Sequence, residues 1–161
     1  FLLKLHGVEE QRDPLIPFKA GIRTSGGGTY HYVHMDIIKC ATRRPWSGLS
    51  LGERQTLTQN CAPYFVEQLR QAVNLRMMVV NGRTASDAVL PLLRQNFGFQ
   101  ASVSRLPLGP SSTQLTIGQL EVNGRALPVI SWTANVVNQQ LTNGQLTALA
   151  EAIAERCQWL Q

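Results

Sequence analysis

The 161-residue sequence predicts an α/β fold in one domain, residues 1–161, built around a mostly parallel sheet. Two observations support this prediction. Segments rich in β-branched and aromatic residues alternate along the chain with segments of helical periodicity, the order typical of parallel sheets. The composition, 43% hydrophobic and 16% charged, is that of a globular protein and excludes disordered, collagen-like and coiled-coil chains. No apolar run approaches the ~18 residues of a membrane span, so no membrane partner is expected.

The N-terminal part is predicted to be irregular up to residue 29, since it contains Pro14, Pro17 and a Gly-rich run at 25–28. It opens without an initiator Met, and it has neither the charged start nor the cleavage site of a signal peptide. We therefore expect further chain to precede it. Residues 30–38, rich in aromatic and β-branched side chains, predict the first strand.

The middle of the chain predicts two helices and a buried strand. Ser50 and Glu53 have the spacing of a capping box, so a short helix should begin there. A second helix should start near Asn60, because Pro63 is tolerated in a first helical turn and apolar residues follow it at helical spacing. Residues 76–80 then form a short buried strand.

The C-terminal half predicts a further helix over about 84–96, then a hairpin and a last helix over 144–160. The hairpin has a first strand at 114–122, in which polar and apolar residues alternate, and a partner strand at 127–132. The intervening Asn123-Gly124 is a strong hairpin-turn sequence. In the last helix the apolar residues recur on one face, which indicates a helix packed on one side.

Basic residues are in excess and unevenly distributed. The chain has 15 Lys and Arg against 10 Asp and Glu, a formal net charge of +5. Twelve of the 15 basic residues are Arg, and 12 of the 15 lie between Arg12 and Arg105. This pattern is compatible with a polyanionic partner such as nucleic acid. Many small proteins with no such partner are equally basic, so both interpretations stand.

The cysteine count indicates a reducing compartment. Cys40, Cys61 and Cys157 are an odd number with no closely spaced pair, so a disulfide framework is not expected. We therefore expect a cytoplasmic or a nuclear or nucleoid location. The structural interpretation of all three residues is a buried free thiol.

Three segments follow predicted strands, and ligands of open α/β sheets bind at such strand ends: residues 36–46, 81–85 and 131–139. Asp36 lies in an apolar strand, where an acid is costly unless it is hydrogen-bonded or binds a ligand. It is either a pocket acceptor or a partner for a nearby cation. His34 faces the same side, and the pair could activate water or form a structural hydrogen bond.

The other two strand ends carry weaker signals. Gly82 permits a tight turn into a helix, whose free N–H groups favour an anion, although any strand-to-helix turn has this character. At the third end, hydroxyl and amide side chains surround Trp132, which could line a groove and stack on a base. The alternative is an ordinary loop with a core tryptophan.

Three blocks of sequence resemble the uracil-DNA glycosylase superfamily. Residues 33–40, 61–69 and 78–85 are similar to motifs of its iron–sulfur branch and occur in the same order. The resemblance covers the chain from about Val33 to its C-terminus. It implies a three-layer sandwich with a central, mostly parallel four-stranded sheet. It also implies a DNA repair enzyme that flips a uracil or another damaged or mismatched base and hydrolyses its N-glycosidic bond.

The resemblance also implies a set of site residues. Asp36 stands where the family has the Asn that reads the base edge, and a carboxylate suits an exocyclic amine better than a carbonyl. The turn at 131–135 falls at the second motif and lacks the family's His, as in mismatch-type members. Its Ser131, Thr133 and Asn135 would stabilise the departing base, with His34 and Trp132 in the base pocket. The DNA contacts would be made by Lys39, Arg43, Arg44, Arg83 and Gln139.

Two features of the family are missing from this chain. No counterpart of the first motif precedes Val33, and only Cys40 and Cys61 match the ligands of the iron–sulfur cluster. Such a cluster takes four cysteines, so no cofactor is expected unless an upstream cysteine pair exists. The leading hypothesis is a monomeric glycosylase that acts on double- or single-stranded DNA. The alternatives are a catalytically degenerate member that binds nucleic acid or protein, and an unrelated small-molecule domain.

Overall fold

The computed structural model of the chain describes residues 22–23, 29–31, 33, 35–38, 44–109, 111–134 and 141–157. Over these residues the predicted α/β class is confirmed, with three α-helices and a four-stranded mixed sheet. The elements in chain order are β1 Ile22–Arg23, β2 Thr29–Tyr30, a 3₁₀ turn Trp46–Gly48, α1 Leu51–Gln71, β3 Met78–Asn81, α2 Arg83–Phe97, β4 Gln100–Leu108, β5 Ser111–Val122, β6 Arg125–Trp132 and α3 Asn143–Arg156.

The main sheet has the strand order β3-β6-β5-β4 and one parallel pair, so the expectation of a mostly parallel sheet is wrong. In that pair Met78 lies opposite Val129. β5 and β6 are antiparallel and are joined by the predicted turn, in which Asn123 and Gly124 have φ angles of 53° and 71°. The sheet is mixed because β4, β5 and β6 follow one another through connections too short for a parallel crossover.

The first predicted strand, residues 30–38, is largely absent. Of its described residues, only the first belongs to a strand, the short β2, which pairs with β1. Residues 31, 33 and 35–38 are not in a strand. Met35 and Ile37 are nevertheless half-buried against the core, so their apolar character reflects packing by a segment without a strand ladder.

Helix α1 begins as predicted and then continues further than predicted. Ser50 and Glu53 form the expected capping box, in which each side chain bonds the other residue's N–H. The helix then runs unbroken for 21 residues with Pro63 in its interior, so the prediction of two separate helices is wrong. Pro63 is exposed, as is Gln59, whose carbonyl loses its helical donor and can bond water instead.

The remaining elements agree with the sequence analysis except for two missed strands, β4 and the two-residue β1, which lies in the segment predicted to be irregular up to residue 29. β3, α2, β5, β6 and α3 lie where they were expected, to within a few residues. The nine-residue β4 was not predicted, because most of its side chains are exposed and the alternation of polar and apolar residues over 100–104 changes phase at Arg105. It crosses β5 closely at Gly118, where a Cβ atom would overlap the Gln100 carbonyl oxygen and lie 2.7 Å from the Ala101 Cβ.

The chain divides into two compact units. The sheet unit comprises Met35–Ser104 and Leu115–Thr133, and the terminal unit comprises Phe1–His34, Arg105–Gln114 and Ala134–Gln161. The core of the sheet unit is apolar and draws on α1, α2 and the strands, with Phe65, Leu69, Leu93, Val129 and Met78 among its buried members. Within the described ranges, none of the helices has the length and hydropathy of a membrane span.

The described core of the terminal unit lies on helix α3. Its Leu149, Ile153 and Cys157 are fully buried, which confirms the predicted apolar face. Thr142 caps the helix through a reciprocal pair of hydrogen bonds with Gln145. Gln145 also donates through its side chain to the Leu108 carbonyl at the end of β4, at 2.6 Å. The Thr113 hydroxyl of β5 accepts from the Ala134 N–H at 2.9 Å, which orders the chain after β6.

Candidate site at the ends of the parallel strands

The carboxyl ends of β3 and β6 meet at the start of helix α2. Asn81 and Trp132 are opposite each other in the parallel ladder. The ladder then continues into the helix, since the Gly82 N–H donates to the Trp132 carbonyl at 2.9 Å and the Arg83 N–H donates to the Thr133 carbonyl at 3.0 Å. Gly82 turns the chain with a φ angle of 90°, a conformation open to glycine and strained for other residues.

The start of α2 has the electrostatics of an anion site. Its N-cap residue is Gly82, so no side chain caps the helix. The N–H groups of Thr84 and Ala85 have no helical partner, as at every helix start, and they carry the positive end of the helix dipole. Arg83 and Thr84 are exposed beside them. An oxyanion would be stabilised at this position.

Two of the predicted site residues serve a buried structural network at the same place. Ser131 is 1% exposed and its hydroxyl lies 2.7 Å from that of Ser86, which in turn donates to the Gly82 carbonyl at 2.8 Å. Trp132 is 2% exposed and its Nε1–H donates to Asn81 Oδ1 at 2.8 Å. Trp132 is therefore a core tryptophan, the alternative left open by the sequence, and its ring is not available to stack on a base.

Some of the other predicted site residues lie at this edge of the sheet, and others do not. Thr133 is half-buried and joins Arg83 through the backbone bond already described. Asp36 is exposed and lies outside any strand, so the prediction that it ends a core strand is wrong. Of the remaining members of the predicted site, six lie outside the described residues: His34, Lys39, Cys40, Arg43, Asn135 and Gln139.

Arg44 is engaged with the start of α1. Its guanidinium forms an ion pair with Glu53 and donates a long bond to the Gly48 carbonyl at 3.4 Å. The pKa of Glu53 is lowered below its ordinary value, first by the Ser50 N–H, then by the Ser50 hydroxyl and by the positive charge of Arg44. Arg44 thus has a structural role here, although its side chain is 58% exposed and can still reach a ligand.

Sequence reasoning missed a stacked pair on the turn that precedes α1. The Arg54 guanidinium carbon lies 5.8 Å from the centre of the Trp46 ring, and Arg54 Nη2 donates to the Ser47 carbonyl at 3.1 Å. Trp46 Nε1 and Arg54 Nε are both buried and have no hydrogen-bond partner among the residues that the structure describes. A buried donor without an acceptor costs about 1–3 kcal/mol, so two of them in one contact are unusual. The only sequence signal was a Trp within an Arg-rich segment.

The terminal unit contains an open polar depression of about 590 Å³ at the β4–β5 connection. It is lined by Arg105, Pro107, Ser111 and Ser112. Arg105 Nε donates to the Ser112 hydroxyl at 2.9 Å, and the Ser111 hydroxyl donates to the Leu108 carbonyl. These groups satisfy one another and include no acid or base suited to catalysis.

The cysteines in the described part of the chain are buried. Cys61 is 1% exposed within α1, and Cys157 is fully buried at the end of α3. Burial raises the pKa of the Cys157 thiol to about 11, against the opposing charge of Arg156, so it is protonated and unreactive at neutral pH. Among the residues that the structure describes, no three His, Cys, Asp or Glu side chains are grouped to hold a metal ion.

Comparison of the chain with protein-family models, with curated proteins and with solved structures gave no match. The fold, the charges and two polar regions of the sheet unit, the start of α2 and the turn before α1, therefore carry the information about function.

Proposed function

We propose that this chain binds nucleic acid through its sheet unit, as a uracil-DNA-glycosylase-like domain whose catalytic motifs have degenerated. The observation that carries the proposal is the location of the charge. The sheet unit contains nine Lys and Arg against five Asp and Glu, so it holds nearly all of the basic excess of the chain. Nucleic acid is the polyanion that such an excess of Arg suits best, because guanidinium groups bond phosphate oxygens in pairs.

Several of these arginines are available for phosphate contacts. Arg76, Arg83 and Arg94 are exposed, and no ion pair engages them among the described residues. Arg83 lies at the uncapped start of α2, where the helix dipole adds to its positive charge. A phosphate group beside Arg83 would therefore gain from both the side chain and the backbone N–H groups.

The binding function is favoured over catalysis because of the roles of Ser131 and Trp132. Both side chains are buried in hydrogen bonds that hold β3, β6 and α2 together. The polar turn was expected to stabilise a departing base, and these groups would have to break core contacts to do so. Phosphate binding by surface arginines needs no such rearrangement.

Glycosylase activity remains the second candidate, on the strength of the start of α2. In that reaction water attacks the anomeric carbon while the N-glycosidic bond breaks, and the base leaves with negative charge. Uncapped N–H groups at the ends of two parallel strands, beside Thr133, are suited to stabilise such an anion. For this candidate, the resemblance and the composition imply three further properties: a three-layer sandwich, an intracellular location and a monomeric state.

A salt-dependent binding measurement tests the proposal. The affinity for duplex and for single-stranded DNA is measured over a range of salt concentrations for the wild type and for Arg76→Gln/Arg83→Gln. We expect the affinity to fall with salt, and the double variant to bind more weakly with a salt slope reduced by up to about 2, roughly 1 for each lost phosphate contact. The matched control is Arg156→Gln, which removes one charge from the terminal unit and should bind nearly as the wild type. Binding that ignores salt, or that is the same in all variants, would overturn the proposal.

An alkali-cleavage assay separates binding from catalysis. Oligonucleotides that contain uracil, a mismatched thymine or cytosine are incubated with the wild type and with Asp36→Asn, and then treated with alkali. Release of any base by either protein would establish the glycosylase candidate. Binding without base release from any oligonucleotide would support the degenerate module.

A further inference from the structure

We propose that Trp46 and Arg54 form a phosphate site on the turn that precedes α1. The observation behind this inference is the pair of buried donors, Trp46 Nε1 and Arg54 Nε, that have no acceptor in the described chain. Both groups can only donate, so whatever completes them must be an acceptor. Native proteins leave few buried polar groups unpaired, and a pair of them in one contact indicates a place prepared for a further group.

The two donors are held in position before any ligand arrives. Arg54 stacks on the Trp46 ring, with 5.8 Å between the guanidinium carbon and the ring centre. Its Nη2 donates to the Ser47 carbonyl at 3.1 Å, and its Nε is the buried donor that has no partner among the described residues. Such preorganisation lowers the entropy that a ligand loses when it binds.

The charges around the pair favour an anion over a neutral acceptor. Arg44 and Arg54 contribute two positive charges, and Glu53 contributes one negative charge that is already engaged by Arg44 and by Ser50. The start of the 21-residue α1 lies within the same cluster and adds the positive end of its dipole. The side chains therefore present a net positive charge to whatever binds Trp46 and Arg54.

A phosphate group fits these donors better than a carboxylate. Its tetrahedral oxygens can accept from Trp46 and from Arg54 at the same time. The turn lies at the surface, since Arg44, Pro45, Ser47 and Gly48 are exposed.

The site does not depend on the proposed function, because free phosphate and a nucleic-acid phosphodiester share the recognised chemistry. The first arm of the test uses inorganic phosphate at constant ionic strength and follows the thermal midpoint. A ligand that binds only the folded state raises the midpoint as its concentration rises. We expect this rise in the wild type and an affinity for phosphate lower by about tenfold or more in Trp46→Phe, which keeps an aromatic ring and removes the donor.

Arg54→Lys provides a second variant, since it keeps the charge and removes the Nε–H; it too should lose about tenfold or more in phosphate affinity. The matched control is Arg125→Gln, which removes an exposed Arg of the same unit and should keep the wild-type response. If the wild type gives no response, or if both Trp46→Phe and Arg54→Lys respond as the wild type does, the proposal fails and water fills the two positions.

The second arm repeats the comparison with a short single-stranded oligonucleotide. A loss of oligonucleotide affinity in Trp46→Phe and Arg54→Lys would identify the phosphodiester as the source of the phosphate. Unchanged oligonucleotide affinity together with a lost response to inorganic phosphate would identify free phosphate instead. Phosphate binding without DNA binding would retain this site and overturn the proposed function, so the two failures are distinguishable.

Discussion

The two polar regions of the sheet unit differ in how completely their hydrogen bonds are satisfied. At the junction of β3, β6 and α2, Ser86, Ser131 and Trp132 all have partners between 2.7 and 2.8 Å away. On the turn before α1, Trp46 Nε1 and Arg54 Nε have none in the described chain. The residues singled out from the sequence as catalytic thus include some that hold the fold together. The sequence singled out residues 36–46, which include Trp46, but it did not predict the pairing of Trp46 with Arg54.

The largest effect on stability is expected from an alanine substitution at Gly118, compared with the same substitution at Gly52, where there is room for a Cβ atom. Gly118→Ala puts a Cβ atom onto the Gln100 carbonyl oxygen, so β4 must move away from β5. We expect a loss of about 1–3 kcal/mol or more in the free energy of unfolding, measured by urea titration. Gly52→Ala in the first turn of α1 meets nothing within 4 Å and should be neutral or stabilising by up to about 1 kcal/mol. Equal stability of the two variants would contradict the close approach of β4 to β5.

The second prediction tests which hydroxyl donates in the hydrogen bond between Ser86 and Ser131, at the junction of β3, β6 and α2. Ser86→Ala leaves the buried Ser131 hydroxyl without its partner and should cost about 1–3 kcal/mol. Ser131→Ala should cost less, about 1 kcal/mol, because the Ser86 hydroxyl still donates to the Gly82 carbonyl. In a double-mutant cycle the two changes together should cost less than the sum of the single costs. Strict additivity would show that the two hydroxyls do not interact.

A smaller effect is the acid sensitivity of the turn before α1. The pKa of Glu53 is lower in the folded chain than its ordinary value of 4.5, chiefly because the Ser50 N–H and hydroxyl bond the carboxylate. Its contribution to stability is therefore present above pH 4.5 and is lost as the pH falls below that value. We expect the thermal midpoint of Glu53→Gln to differ from that of the wild type near neutral pH and to approach it in acid.

The control for this titration is Glu121→Gln, which makes the same charge change on an exposed residue of β5. A difference between Glu53→Gln and the wild type that stays constant with pH would contradict the assignment. Added salt should reduce the difference, because Arg44 and Glu53 are solvent-exposed.

The smallest effect on stability is expected for Trp46→Phe, which is compared with the same substitution at Trp132. In phosphate-free buffer Trp46→Phe removes a buried donor that has no acceptor among the described residues, so the relief of that cost offsets part of the lost ring contacts and the free energy of unfolding should change little. Trp132→Phe removes the bond to Asn81 and should cost about 0.5–1.5 kcal/mol more than Trp46→Phe. The reverse order would show that the Trp46 nitrogen has a partner in the folded chain.

Local signals predicted local structure well in this chain. The Ser50–Glu53 capping box, the Asn123-Gly124 turn and the apolar face of α3 are each determined by a few neighbouring residues, and each is present. Predictions from the sequence were wrong where residues far apart in the chain determine the structure. β4 keeps no single alternation along its length and has mostly exposed side chains, and residues 31, 33 and 35–38 follow β2 outside any strand.

The candidate site shows the same limit. Gly82 and the start of α2 were predicted because a turn from strand to helix is a local pattern. The burial of Ser131 depends on Ser86, which is 45 residues away in the chain, and no spacing rule reveals that pair. The stacking of Arg54 on Trp46 joins two segments that were interpreted separately, a loop and a helix start.

The prolines inside α1 and α2 have a consequence for how the sheet unit folds. Pro63 and Pro91 each remove one hydrogen bond from the interior of their helix. Each proline divides its helix into shorter stretches, and isolated helices shorter than about 12–15 residues are marginal in water, so neither segment should be stable as an isolated peptide. Both helices must gain their stability from the side chains that they bury against the strands. The sheet unit should therefore unfold as one cooperative block, with amide protons of α1, α2 and β3 exchanging at similar rates in its most protected positions.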